Sequence, residues 1–266
     1  MRSRRLKYLI KSKSFSFVND LKDKRHHISS MKFNDRNVFY RTSSSDMILI
    51  YEILLQSKYK SEYFFPDAIK PKVIFDIGGN IGITSIYLAS IFPHAKIYTF
   101  EPLPANFEIL KKNIDNYENI EAFNFGLGSQ YSNFKVYLSN DSENFSGISF
   151  YPDPIGNNSD PYISCEVQSI NEVVEKLKID CIDLIKIDTE GAEYDILTSL
   201  KEKIIRGTSW ITGELHGNQD FELLSYLNRF DFSISLKKHI DNRLFMFHAG
   251  KSEIISKLSK KEIRTL

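Results

Sequence analysis

Cysteine is scarce: Cys165 and Cys181 are the only two in 266 residues. Both fall in segments predicted as strands. They share no C-x-x-C spacing, so nothing points to zinc or to redox work, and buried free thiols are expected. Long apolar runs are missing too. The apolar stretches are strand-length and broken by charge, which excludes a membrane span. The basic start, Met1 to Ile10, is followed by no apolar core of signal-peptide length and no small-residue cleavage site, so a cytoplasmic location is expected. An excess of one charge is also absent, with Lys+Arg 35 against Asp+Glu 34 and a formal net charge of +1. No nucleic-acid partner is expected from that balance. What the chain does have is 42% hydrophobic residues, enough to bury a full core in one α/β domain with additions.

Three regions follow from a pass along the chain. Residues 1–70 read as a basic arm and a helical preface. From Arg2 to Arg25 nine positive residues face only Asp20 and Asp23. The expectation is a solvated arm, with weak contact to anionic lipid or a phosphorylated carrier as the alternative. Ser43-Ser44-Ser45-Asp46 caps an apolar stretch, 47–55, of helical spacing. Residues 71–250 then alternate strand and helix, the start of a doubly wound parallel sheet. Predicted strands cover 73–77, 95–100, 120–125, 134–138, 164–168, 181–188 and 210–215. A hairpin closes the region from Phe232 to Phe247 across Asp241-Asn242. Within it the polar stretch 139–164 is either a lid or a disordered insert. Its Asn-x-Ser triplets at Asn140, Asn144 and Asn157 are read as chance matches. Ser169-Ile170-Asn171-Glu172 has the pattern of a capping box. Residues 251–266 form a basic tail.

The stretch 73–84 organises the rest. An apolar strand runs into Gly78, Gly79, Asn80 and Gly82 and then into a helix, a corner that lets backbone approach a ligand. A dinucleotide fingerprint would need glycine at Asn80. Asp76 at the strand end would repel a pyrophosphate and attract an ammonium or sulfonium. In open α/β sheets ligands lie beyond the carboxyl ends of strands, so Asp76, Asn80, Glu101, Asp188, Glu190, Glu214 and His216 are the candidate site residues. Glu101 stands where nucleotide-binding folds place the acid that holds a ribose. For Asp188 and Glu190 a site role and capping of the next helix remain open, whereas Glu193 reads as a cap. His216 beside Glu214 is either a surface histidine or a base that takes a proton near neutral pH.

Three segments occur together and in order: Val73-Ile74-Phe75-Asp76-Ile77-Gly78-Gly79-Asn80-Ile81-Gly82, Phe100-Glu101-Pro102-Leu103-Pro104-Ala105-Asn106-Phe107, and Ile185-Lys186-Ile187-Asp188-Thr189-Glu190-Gly191-Ala192-Glu193. The combination resembles the FkbM family of S-adenosylmethionine-dependent methyltransferases over residues 73–216. The resemblance implies a class I methyltransferase fold, Rossmann-like, with a seven-stranded sheet whose last strand is antiparallel. It implies that Asp76, Gly78, Asn80 and Gly82 surround the methionine part of S-adenosyl-L-methionine and that Glu101 holds its ribose. It also implies O-methylation of a sugar, glycan or natural product. On that footing His216 is the expected base, oriented by Glu214, with Asp188 and Glu190 binding acceptor or cofactor. No metal ligand set is assigned. The alternatives are a divalent ion held by Asp188, Glu190 and Glu214 or His216, and a non-catalytic cofactor-binding protein of the same fold.

Overall fold

β-branched and aromatic runs form the strands, and the computed structural model describes them over residues 2–138, 148–149, 162–216, 218–239 and 245–266. In chain order they are a hairpin, β1 (Ile28–Phe33) and β2 (Arg36–Arg41), then β3 (Val73–Ile77), β4 (Lys96–Phe100), β5 (Ile120–Phe123), β6 (Gly126–Gly128), β7 (Ser132–Leu138), β8 (Ile148–Ser149), β9 (Tyr162–Ser169), β10 (Leu184–Ile187), β11 (Trp210–Leu215), β12 (Phe232–His239) and β13 (Phe245–Lys251). Seven of them make the main sheet, in the order β12-β13-β11-β10-β3-β4-β5. β3, β4, β5, β10 and β11 are parallel, and β13 runs antiparallel to both its neighbours. This is the class I methyltransferase arrangement implied by the three sequence segments.

Alternation along each strand divides the core. Ile74 and Leu184 face one apolar layer with Ile86, Leu110 and Ile114. Phe75, Ile77, Ile185 and Ile187 face the other, against Val173, Ile196, Leu197 and Leu223. Each fully buried aliphatic side chain contributes ~1.5–3 kcal/mol by leaving water. Pairing then puts Lys186 of β10 opposite Asp76 of β3, two polar residues on one face of the sheet centre. The chain leaves β3 towards β4 on one side and returns to β10 on the other, so this pair marks the switch point where open α/β sheets bind ligands.

Several expectations are corrected. The first residues are not a solvated arm: helices Arg2–Ser12 and Phe15–Asp20 bury Tyr8, Phe17 and Val18 against the core. Charge dominates that segment's composition, yet these widely spaced apolar residues suffice to dock it. The preface contains the β1–β2 hairpin, and its helix Asp46–Leu49 continues as a π-helix, Ile50–Leu54. Ser169 precedes the helix Ile170–Lys176 without a side-chain cap bond, so the capping box does not form. Cys181 is half-buried and outside any strand, because β10 begins at Leu184, whereas Cys165 is buried in β9. The strand predicted over 120–125 ends at Phe123, and Gly126–Gly128 belong to a second sheet, β6-β9-β7-β8. The tail folds into helices Ser252–Ile255 and Lys260–Ile263. Most of the insert 139–164, with its Asn-x-Ser triplets, and the turn at Asp241-Asn242 lie outside the described residues. Among those described, no helix is long and apolar enough to cross a membrane.

Candidate active site

The turn after β3 depends on backbone that side chains would obstruct. Gly78 has φ +80, and a Cβ there would lie 1.9 Å from the carbonyl oxygen of Asp188. Glycine therefore lets the β3 and β10 ends touch. Asn80 follows at φ 47, in the left-handed region that asparagine tolerates better than most residues. Its Oδ1 is buried with no hydrogen-bond partner among the described residues.

Glu101, at the end of β4, fastens this turn. Its carboxylate accepts from Asn80 N at 2.7 Å, Leu103 N at 2.9 Å and Asn106 Nδ2 at 3.3 Å. Burial pushes its pKa up, against the pull of those donors. A carboxylate has about four acceptor positions, so these three donors leave capacity for one more.

Asp76 is fully buried, accepting from Ser85 Oγ at 2.5 Å and lying 3.5 Å from Lys186 Nζ. Lys186 is buried as well, donating to the Gly78 carbonyl at 2.7 Å and standing 3.8 Å from Asp188. Burial pushes the lysine down, but Asp76, Asp188 and Glu214 outweigh it and hold its pKa above the ordinary value. Tyr63, whose hydroxyl donates to Asp188 Oδ2 at 3.3 Å, completes this layer.

The β10 and β11 ends carry an excess of carboxylate. His216 Nδ1 meets Glu193 Oε1 at 3.1 Å, and its Nε2 lies 3.4 Å from Glu214, 3.8 Å from Asp188 and 3.9 Å from Glu190. Burial disfavours the imidazolium, but Glu193 and Glu214, aided by Asp188, lift its pKa to about 11. The acids around His216 thus favour its imidazolium form at neutral pH. Glu193 also accepts from Thr189 N at 2.9 Å and Gly191 N at 3.4 Å, so it fastens the preceding loop; it stands in the first turn of the helix Glu193–Ser199, where no side-chain cap bond forms. Burial raises the pKa of Asp188, Lys186 opposes this, and Glu214 adds to it. Glu190 is raised chiefly by burial and adopts a left-handed φ of 56.

A cavity of about 940 Å³ opens over these strand ends, bordered by Gly78, Asn80, Glu101, Asp188 and Glu190. Its far wall comes from the second sheet and from Arg41 at the end of β2. Asp76, Gly82, Glu214 and His216 do not border it. Asp76 and Gly82 shape the turn, and Glu214 and His216 stand behind Asp188. The residues that sequence reasoning missed are Tyr63, Arg41, Lys135 and the Glu193–His216 contact. Tyr63 precedes Asp188 by 125 positions, a juxtaposition without local signal. The spacing of Glu193 and His216 across a helix and a strand is equally silent.

The arrangement suits a cationic ligand. Asp76, Asp188, Glu190, Glu193 and Glu214 outnumber Lys186 and His216, so the field at the cavity floor favours added positive charge. The glycine cradle, the unpartnered Asn80 oxygen and the spare acceptor of Glu101 supply the neutral contacts. These features fit S-adenosylmethionine.

A family model described as the methyltransferase FkbM domain matches residues 76–250, well over half of the chain. Two of the three curated relatives that follow are named methyltransferases. The AMB antimetabolite synthetase AmbE of Pseudomonas aeruginosa is 26% identical over 255 residues, covering 80% of this chain and 11% of its own. Methyltransferase 1 of Beauveria bassiana is 27% identical over 167 residues, covering 52% of this chain and 61% of its own. The hexuronic acid methyltransferase AglP of Haloferax volcanii is 27% identical over 161 residues, covering 58% and 60%. The chain thus spans less than two thirds of the length of each.

Proposed function

Because the chain belongs to the FkbM methyltransferase family, we propose that it transfers the methyl group of S-adenosylmethionine to a hydroxyl oxygen of a sugar, glycan or related natural product. The observation that carries this reading is Asp188, a carboxylate in the cavity wall and in the acid cluster at once.

When bound, S-adenosylmethionine supplies a methyl group already activated on a sulfonium. Gly78, Asn80 and Glu101 would hold it, and the surplus carboxylates would favour its charge. The task left to the protein is to align an acceptor oxygen and relieve it of its proton as the new bond forms. Asp188 takes that proton. Burial and the neighbouring Glu214 raise its affinity for it, and the charged Lys186 and His216 hold the carboxylate in place. His216 and Glu214 therefore act through Asp188, and Glu190, also on the cavity wall, binds the acceptor. Support for a sugar acid comes from the relative that methylates hexuronic acid. Lys135, which borders the cavity, offers such a ligand a cation.

Incubation with methyl-labelled S-adenosylmethionine and uronic-acid oligosaccharides should give labelled methyl ethers. Asp188→Asn should lower kcat about 100-fold or more. Full turnover in that variant would move the base elsewhere, and label appearing only on nitrogen or carbon would overturn O-methylation.

A second reading is favoured by one observation: ligand atoms of Asp188, Glu214 and His216 all lie within 4.8 Å of one another. A divalent ion there would displace the proton His216 carries and would itself lower the acceptor's pKa. Chelation that abolishes turnover, with recovery on adding Mg²⁺ or Mn²⁺, would support this reading. Unchanged turnover after chelation is the result expected from Asp188 acting alone.

A further inference from the structure

The helix Arg2–Ser12 has two faces. Tyr8 and Ser12, four residues apart, are buried, and Tyr8 stacks on Tyr51 at 4.0 Å. About half a turn round the helix are Leu6 and Ile10, also four apart, at 58% and 65% exposure. Phe15, at the start of the next helix, is 74% exposed. The fold thus uses one face and leaves an apolar stripe on the other.

Charge along this segment is mostly of one sign. Lys7, Lys11, Lys13, Lys22 and Lys24 are all exposed. The two acids within residues 1–25 are engaged elsewhere: Asp20 accepts from the hydroxyls of Ser29 and Tyr40, and Asp23 pairs with Arg25. Among the described residues, none of these five lysines has a carboxylate within ion-pair distance.

We propose that this face docks on an anionic bilayer surface. Leu6, Ile10 and Phe15 enter the boundary between headgroups and acyl chains, and the lysines meet the lipid phosphates and carboxylates. Charge decides among occupants. A second copy would bring the same positive face and be repelled, and nucleic acid would have no use for the apolar stripe. Because Tyr8 locks onto Tyr51 of the π-helix Ile50–Leu54, docking fixes the whole domain at the surface rather than a loose tail. Vesicle binding reads the docking without any turnover, so the result is independent of the methyl-transfer reading.

The test is co-sedimentation of the full chain with phosphatidylcholine vesicles, with and without phosphatidylserine. The chain should pellet with the anionic vesicles at low salt and not with the neutral ones. Leu6→Ser with Ile10→Ser should weaken binding about tenfold or more, and Lys7→Glu with Lys11→Glu should do the same. Thermal melts of the Leu6/Ile10 variant should match the parent, since both residues are exposed. Failure to pellet with anionic vesicles at low salt would overturn the proposal. So would equal pelleting of parent and variants, or a dimer in sedimentation velocity that the Leu6/Ile10 variant abolishes.

Discussion

The two sides of the cavity floor invert each other. At the ends of β3 and β4 one carboxylate, Glu101, serves three donors. At the ends of β10 and β11 one cation, His216, is shared by four carboxylates. On the first side the carboxylate is used to fix the turn, which suits positioning a cofactor. The second keeps unneutralised charge next to the cavity, which suits proton transfer. Lys186 is the hinge of the contrast, buried between Asp76 of the first side and Asp188 of the second.

Removing that hinge should have the largest effect. Lys186→Met leaves the buried Asp76 without its counter-charge and should destabilise the fold by about 3–5 kcal/mol. Denaturant melts would read this, and a parent-like midpoint would mean that the two sides are independent.

Glu101→Gln breaks the first side alone. Its amide would set an N–H₂ group against a backbone N–H that now has an acceptor, at a cost of about 1–3 kcal/mol. The loss should appear in stability and in cofactor affinity, with the cluster around His216 untouched.

A pH series tests the second side. The folded pKa of His216, about 11, lies above its ordinary 6.5, so its contribution to stability is complete below 6.5 and is lost as pH rises through 11. The melting temperature of the parent should therefore fall more between neutral and strongly alkaline pH than that of His216→Gln, by about 2–4 °C for each kcal/mol lost. Parallel curves would show that the histidine is not held charged.

The contrast also explains what could be read from the chain before its fold. Gly78, Asn80 and Glu101 were legible because their work is local: a left-handed turn demands particular residue types, and the acid follows at a fixed strand-to-strand distance. The sheet was legible for a similar reason, since apolar β-branched runs alternate with helical spacing. His216 was found as a strand-end residue, but its charge state was not, because it depends on Glu193 from another element. Tyr63 carried no signal at all. The first helix was hidden by its own composition, in which the buried anchors Tyr8 and Phe17 are outnumbered by lysine and arginine.

On the proposed division of labour, the β3–β4 side holds S-adenosylmethionine while the β10–β11 side acts on the acceptor. Calorimetric titration of S-adenosylmethionine into the parent, Glu101→Gln and Asp188→Asn separates the two. Binding should be saturable in the parent, about tenfold weaker or more in Glu101→Gln, and retained in Asp188→Asn although turnover is lost. No heat of binding in the parent, or equal affinity in the parent and Glu101→Gln, would contradict it.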